Sequence, residues 1–249
     1  MFQGEIVWMP AQSDMSKSYF HPSEYIQHYV QVAVKADSLG RRQEVRVGCA
    51  TQEAPILVRM LDRRSRWGID NGLKTVIPTA LTFGLLGYPF VLPDMIGGNA
   101  YEGVEVEQEL FVRWLQVNIF LPAIQFSIPP WQFDERTVNY TIEMLNIRES
   151  KSSVFDQVSQ EAVDFGWPMV RPLWWIAPND SNCFTIDDEF LLGNDILVAP
   201  IVEKGARSRD IYLPNGKWQD MMNNREVQGG KWYREFDANL WELPYFLKV

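Results

Sequence analysis

The stretch R-W-G-I-D-N-G-L-K-T-V-I-P-T-A-L-T-F-G-L-L-G-Y-P-F-V-L-P-D-M-I-G-G-N, Arg66 to Asn99, decides how this chain is read. It carries two aspartates, Asp70 and Asp94, each where a short apolar run meets a Gly-rich turn. Between them Leu73, Val76, Ile77, Ala80, Leu81, Leu85 and Leu86 recur at helical spacing. Gly87-Tyr88-Pro89 closes that segment, and Phe90-Val91-Leu92 is strand-like. The order is strand end, helix, strand end. In a parallel α/β architecture both aspartates then stand at the C-terminal ends of neighbouring strands, the face on which α/β barrels assemble active sites.

Upstream, residues 1–24 are polar and turn-rich. Ser23 is the expected N-cap of a helix from about Glu24 to Leu39, which Gly40 stops. Val45 to Ala50 reads as a strand, and Ile56 to Trp67 reads as a connection holding the charged cluster Arg59, Asp62, Arg63, Arg64 and Arg66. Downstream, an acidic loop from Glu102 to Glu107 leads into an apolar-periodic helix that Pro122 ends. Ala123 to Ile128 is a further strand, and Asp134 caps a long helix or helix pair reaching about Phe165. From Gly166-Trp167-Pro168 onward the pattern changes to short strands and turns, which suits an antiparallel β-sandwich. The expected division is residues 1–166 and 167–249.

Bulk composition narrows the function. With 249 residues, 46% of them hydrophobic, the chain can bury a large core. A net charge of -9 without a run of lysine or arginine excludes a nucleic-acid surface. Ten tryptophans, nine tyrosines and fourteen phenylalanines supply rings for core packing and for stacking against sugars. Cys49 and Cys183 have no metal-type spacing and read as buried thiols, with a bridge left open. No run of about eighteen apolar residues occurs, and the N-terminus lacks the features of a signal peptide. Asn139 and Asn179 begin N-glycosylation sequons.

The motifs W-G-I-D-N-G, Y-P-F-V-L-P-D-M-I-G-G-N, E-L-F-V-R-W-L-Q, A-I-Q-F-S-I-P-P-W, R-P-L-W-W-I-A-P-N-D and D-D-E-F-L-L-G-N-D-I-L-V-A-P-I together resemble glycoside hydrolase family 31. Within it, Q-F-S-I-P-P-W and L-P-D-M-I-G-G-N look most like the myogenesis-regulating glycosidase branch, whose activity is on α-galactosides. The resemblance implies an α/β fold, the C-terminal half of a (β/α)8 barrel (about strands 4 to 8) followed by a β-sandwich. It also implies hydrolysis of α-glycosides, α-galactoside or α-glucoside, by a retaining two-carboxylate mechanism without a metal or other cofactor.

On this resemblance Asp70 is the general acid/base, and its neighbours Trp67 and Ile69 offer the apolar setting that suits a group protonating a leaving oxygen. An aspartate before Asn-Gly also serves as an ordinary turn residue. Asp94 matches the aspartate that shapes the sugar pocket, or caps the Gly97-Gly98 turn. Trp67 and Gln125 are the further expected substrate contacts, and Thr51, Gln52 and Ser127 are expected on the same rim. Arg113, Trp114, Arg171, Trp174 and Trp175 read as structural.

A retaining mechanism needs a second carboxylate about 5 Å from the acid. In the family it is the aspartate of F-D-A-G-E; here Gly4-Glu5 match the end of that motif, and Phe2 stands where the nucleophile belongs. The expectation is therefore a chain that starts near the fourth barrel strand and self-associates through open barrel edges, or a catalytically inert carbohydrate-binding or protein-interaction remnant.

Overall fold

The computed structural model describes residues 21–37, 40 and 43–249. Phe2, Glu5 and Leu39 lie outside the described residues, as does most of the turn-rich N-terminal segment.

Helix α1 (Pro22–Ala36) begins with proline in its first turn, where a missing N–H costs no helical hydrogen bond. Its N-cap is His21 rather than Ser23: the His21 Nδ1 accepts from the Ser23 N–H at 3.2 Å. One face of α1, through Val30, packs on Val45, Ile56, Val58 and Tyr88.

The expected strand at Val45 to Ala50 is shorter and begins one residue earlier. β1 (Glu44–Val45) pairs in parallel with β2 (Leu57–Arg59), which pairs in parallel with β3 (Val91–Leu92). β2 falls inside the segment read from sequence as a connection. Three residues are too few to show alternation, and only Val58 of the three is fully buried. β4 (Met95–Ile96) follows Pro93-Asp94 and pairs in parallel with β5 (Gln125–Phe126).

Helices α2 (Val76–Leu85) and α3 (Gln108–Asn118) provide the crossovers that parallel neighbours require. α2 buries Val76, Ile77, Ala80 and Leu81, whereas Leu85 and Leu86, expected on the same face, are exposed. α4 (Glu135–Ser150) starts at Asp134, whose Oδ1 accepts from the Thr137 N–H at 2.7 Å, and Lys151 separates it from α5 (Ser152–Phe165). Both sequon asparagines are exposed, Asn139 within α4 and Asn179 in a turn.

After Gly166, which ends α5 with φ of 70°, the chain builds β6 (Val170–Arg171), β7 (Phe190–Leu192), β8 (Ile196–Val198), β9 (Ser208–Leu213), β10 (Lys217–Asp220), β11 (Arg225–Gln228), β12 (Lys231–Asp237) and β13 (Tyr245–Lys248). Six of them form an antiparallel sheet in the order β11-β10-β13-β8-β7-β6, and β9 pairs with β12. The period of two along a strand divides the larger sheet between two cores. Phe190, Leu192, Ile196, Val198 and Tyr245 join the core of the barrel helices, while Leu191, Leu197, Trp218 and Phe246 pack with Ile211, Leu213 and Phe236 of the β9–β12 pair.

Arg113, buried on α3, donates to the carbonyls of Ala206, Ala238 and Glu242 at 3.1, 3.2 and 3.3 Å, so one guanidinium ties a barrel helix to the β-domain. Its partners are carbonyls and Gln116, not an acid. Arg171 is buried between Trp167 and Trp175 and does pair with an acid, Glu161, at 2.5 Å. Cys49 and Cys183 are both free thiols, which closes the question of a bridge. Among the described residues no helix is long and apolar enough to cross a membrane.

Candidate active site

Asp94 is the centre of the site's scaffold. It stands two residues past the end of β3, after Pro93, and is fully buried, with φ of 73°, a left-handed conformation that aspartate tolerates better than most residues. Both carboxylate oxygens are occupied. Oδ1 accepts from Arg59 Nη2 at 2.8 Å and Nε at 3.3 Å; Oδ2 accepts from the Arg63 N–H and from Asn99 Nδ2, each at 2.6 Å. Burial pulls the Arg59 guanidinium down, but the hydrogen bond and charge of Asp94 outweigh it and leave Arg59 above its usual range. Asp94 thus ties together Arg59 of β2, the Arg63 backbone and Asn99, on the face where the sugar pocket is expected.

The loop of residues 60–72 is held almost residue by residue. Asn99 also donates to the Arg63 carbonyl, from N at 2.9 Å and from Nδ2 at 3.1 Å. Asn71, at φ of 57°, donates from Nδ2 to the Asp62 carbonyl at 2.7 Å and accepts the Arg64 N–H at 3.0 Å. The Arg63 guanidinium donates to Asn71 Oδ1 at 3.1 Å and Thr75 Oγ1 at 2.5 Å, and burial pushes it down to about 10. Two glycines permit the packing. A Cβ on Gly98 would meet the Ser65 nitrogen at 2.7 Å, and one on Gly72 would meet the Arg66 carbonyl oxygen at 2.5 Å.

Asp70 rides on this loop, eleven residues beyond the end of β2. The reading that placed it at a strand terminus is corrected: W-G-I is the apolar part of an irregular loop held by side-chain to backbone bonds, which leave no periodic trace. Its side chain is 77% exposed and pairs with Arg66 Nη1 at 2.5 Å. The expected apolar setting is also absent, since Ile69 is 83% exposed and does not enclose the carboxylate. Trp67 is half-buried against the barrel core.

Gln125 opens β5 in register with Met95; its Oε1 is shielded from solvent and has no hydrogen-bond partner among the described residues. Ser127 is exposed just beyond β5. Thr51 and Gln52 do not join the Asp70 loop: Thr51 donates its N–H to the Tyr88 hydroxyl at 3.4 Å, and Gln52 donates to the Leu86 carbonyl at 3.2 Å.

A cavity of about 270 Å³ is lined by Arg64, Ser65, Arg66, Asn71, Tyr101 and Val104; Asp70 is not in the lining, but it pairs with Arg66 and precedes Asn71, which are. A larger one, about 360 Å³, lies between α1 and residues 50–55, lined by groups such as Gln27, Val30 and Pro55 and none of the carboxylates considered above. The smaller cavity is the one that shares residues with the Asp70 loop. Sequence reading named neither Asn71, Asn99 nor Tyr101 as part of it; the signal available was the density of arginines immediately before W-G-I-D-N. No cluster of three metal-type ligands occurs among the described residues.

The profile described as the TIM-barrel domain of glycosyl hydrolases family 31 matches residues 60–150, and that for the family's C-terminal domain matches residues 166–249. The chain belongs to glycoside hydrolase family 31. It is 41% identical over 252 residues to a myogenesis-regulating glycosidase from Mus musculus, covering 98% of this chain and 35% of that protein. It is also 41% identical over 222 residues to a SITS-binding protein from Tetronarce californica, covering 88% of this chain and 32% of that one. A family 31 α-xylosidase from a soil metagenome, solved with xylose, superposes with a TM-score of 0.76 at 27% identity over 91% of this chain and 37% of its own. The chain thus spans about a third of the length of these curated relatives. The parallel strands and crossover helices are family 31 barrel, and the antiparallel sheets are the family's C-terminal β-sandwich.

Proposed function

We propose that this chain carries the acid/base side of a retaining α-glycosidase site acting on α-galactosides or α-glucosides. Residues 1–166 contribute the barrel part and residues 167–249 the β-sandwich. The observation that carries the reading is the family 31 W-G-I-D-N loop, pinned through Asn71, Arg63 and Asn99 to the buried Asp94. In this reading Asp70 is the general acid/base: it gives its proton to the departing glycosidic oxygen and, in the second half-reaction, takes one from water. Arg66 holds the carboxylate in place between these steps, and Asp94 acts through the loop rather than on the sugar.

Gln125 and Trp67 are the substrate contacts. An orphaned, shielded acceptor such as Gln125 Oε1 costs about 1–3 kcal/mol, and a sugar hydroxyl donating to it would recover that cost. The free edges of β1 and β5, each paired on one side only among the described residues, are where further strands join, and we place a second copy of the chain there.

A second reading, carbohydrate binding without hydrolysis, rests on the motif expectation that puts Phe2 at the nucleophile's place, since a phenyl ring cannot attack an anomeric carbon. Hydrolysis of chromogenic α-galactoside and α-glucoside by the intact protein, beside Asp70→Asn, separates the two. Turnover that vanishes in the variant supports the glycosidase; sugar binding without turnover in either protein supports the second reading.

A further inference from the structure

The cavity that shares residues with the Asp70 loop has a charge balance that the acid/base chemistry leaves unused. Two arginines line it, together with Ser65, Asn71 and Tyr101, and among the described residues no carboxylate does. Arg66 is engaged by Asp70. The Arg64 side chain is exposed and has neither an ion pair nor a side-chain hydrogen bond among the described residues. Nearby acids are engaged elsewhere: Asp62 pairs with Arg46 and accepts the Tyr101 hydroxyl, and Glu107 pairs with Lys204 at 2.5 Å. Glu105, exposed in the acidic loop, makes no ion pair with either arginine among the described residues. Among the described side chains the cavity therefore carries one guanidinium without a carboxylate partner.

The backbone that carries it is anchored. The Arg64 N–H is held by the Asn71 carbonyl at 3.0 Å, its own carbonyl accepts the Arg66 N–H at 2.7 Å, and Ser65 Oγ accepts the Ala100 N–H at 2.9 Å. A guanidinium offers a planar fork of donors matched to a carboxylate or sulfo group, and an anchored backbone reduces the ordering cost of using it. The volume, about 270 Å³, is at the small end of ligand sites and suits a sugar substituent or one ring.

The geometry points to an α-glycoside bearing an anionic group, held through that group by Arg64, as the ligand of this cavity. This rests on the glycosidase reading of Asp70 and names its substrate class. The acid sits either on the sugar ring or on the aglycone, and the probes distinguish the two.

The test is calorimetric binding to the intact protein, in the galacto and gluco series, of methyl α-glycopyranoside against its uronate, and of phenyl against 4-carboxyphenyl α-glycopyranoside. The expected result is that one acidic probe binds about tenfold tighter than its neutral counterpart at low ionic strength, with the ratio shrinking as salt is added. Arg64→Gln brings that ratio to about one and Arg64→Lys retains part of it; because the ratio is taken within each variant, general loss of affinity does not affect it. If neutral glycosides bind and neither acid binds tighter, or if the preference survives in Arg64→Gln, the inference is overturned while the glycosidase reading stands. If no glycoside of either kind binds, both are overturned.

Discussion

At Asp94 a single buried carboxylate accepts four hydrogen bonds from three residues. Asparagine tolerates the same left-handed backbone, so Asp94→Asn isolates the loss of charge and of one acceptor. Leaving Arg59 without its buried partner is expected to cost about 3 kcal/mol, read as a lowered urea midpoint; an unchanged midpoint would show that the network is not what holds the loop. Glu189 offers a second residue-scale check. It is fully buried in the β-domain, where burial pushes its carboxyl up to about 8 against the opposing pull of Arg209. A carboxyl held above its unfolded value of 4.5 binds its proton more tightly when folded. Its contribution is then complete below about pH 4.5 and is lost as pH climbs to about 8. Stability measured across that window should fall by up to about 1.4 kcal/mol per pH unit from this group, and Glu189→Gln should flatten the slope.

At the scale of elements, the loop of residues 60–72 is shaped by what lies against it. Gly98, with φ of 77°, lets the chain after β4 approach the Arg64–Ser65 backbone. Gly98→Ala adds a methyl at 2.7 Å from the Ser65 nitrogen and places alanine in an unfavourable conformation, so it should cost about 1–3 kcal/mol and weaken glycoside binding together. Lost stability with intact binding would separate the loop from the site. The same contrast explains what the sequence made legible. α4 could be placed because Asp134 is a local cap, and α2 because its apolar spacing is local. β2 is too short for a pattern and ends in Arg59, while β7 is wholly buried, so F-L-L shows no alternation and divides its side chains between two cores that only the tertiary structure reveals. Asp70 was recognisable as a residue type in a motif, but not as a loop residue. Its position depends on bonds from Asn71, Asn99 and Asp94, which are distant in sequence or lack periodicity. The exposure of Ile69 was hidden for the same reason.

For the whole molecule, one sheet faces two cores, and Arg113 bonds a barrel helix to the β-domain carbonyls, so the Asp70 loop is built on a frame that includes both parts. Among the described residues β1 and β5 are each paired on one side only, and the proposed self-association uses those edges. Sedimentation of the protein across a concentration series should show a dimer that Val45→Pro on the β1 edge weakens; a strictly monomeric species at all concentrations would contradict edge pairing. The central claim remains that Asp70 protonates the leaving group, and the measurement that tests it most directly is the dependence of hydrolysis on leaving-group acidity in the intact protein and in Asp70→Ala. A general acid matters most where the departing oxygen is basic. The variant should lose about 10²–10⁴-fold on a methyl α-glycoside and far less on a dinitrophenyl α-glycoside. An equal loss on both substrates, or no turnover of either by the unaltered protein, would contradict it.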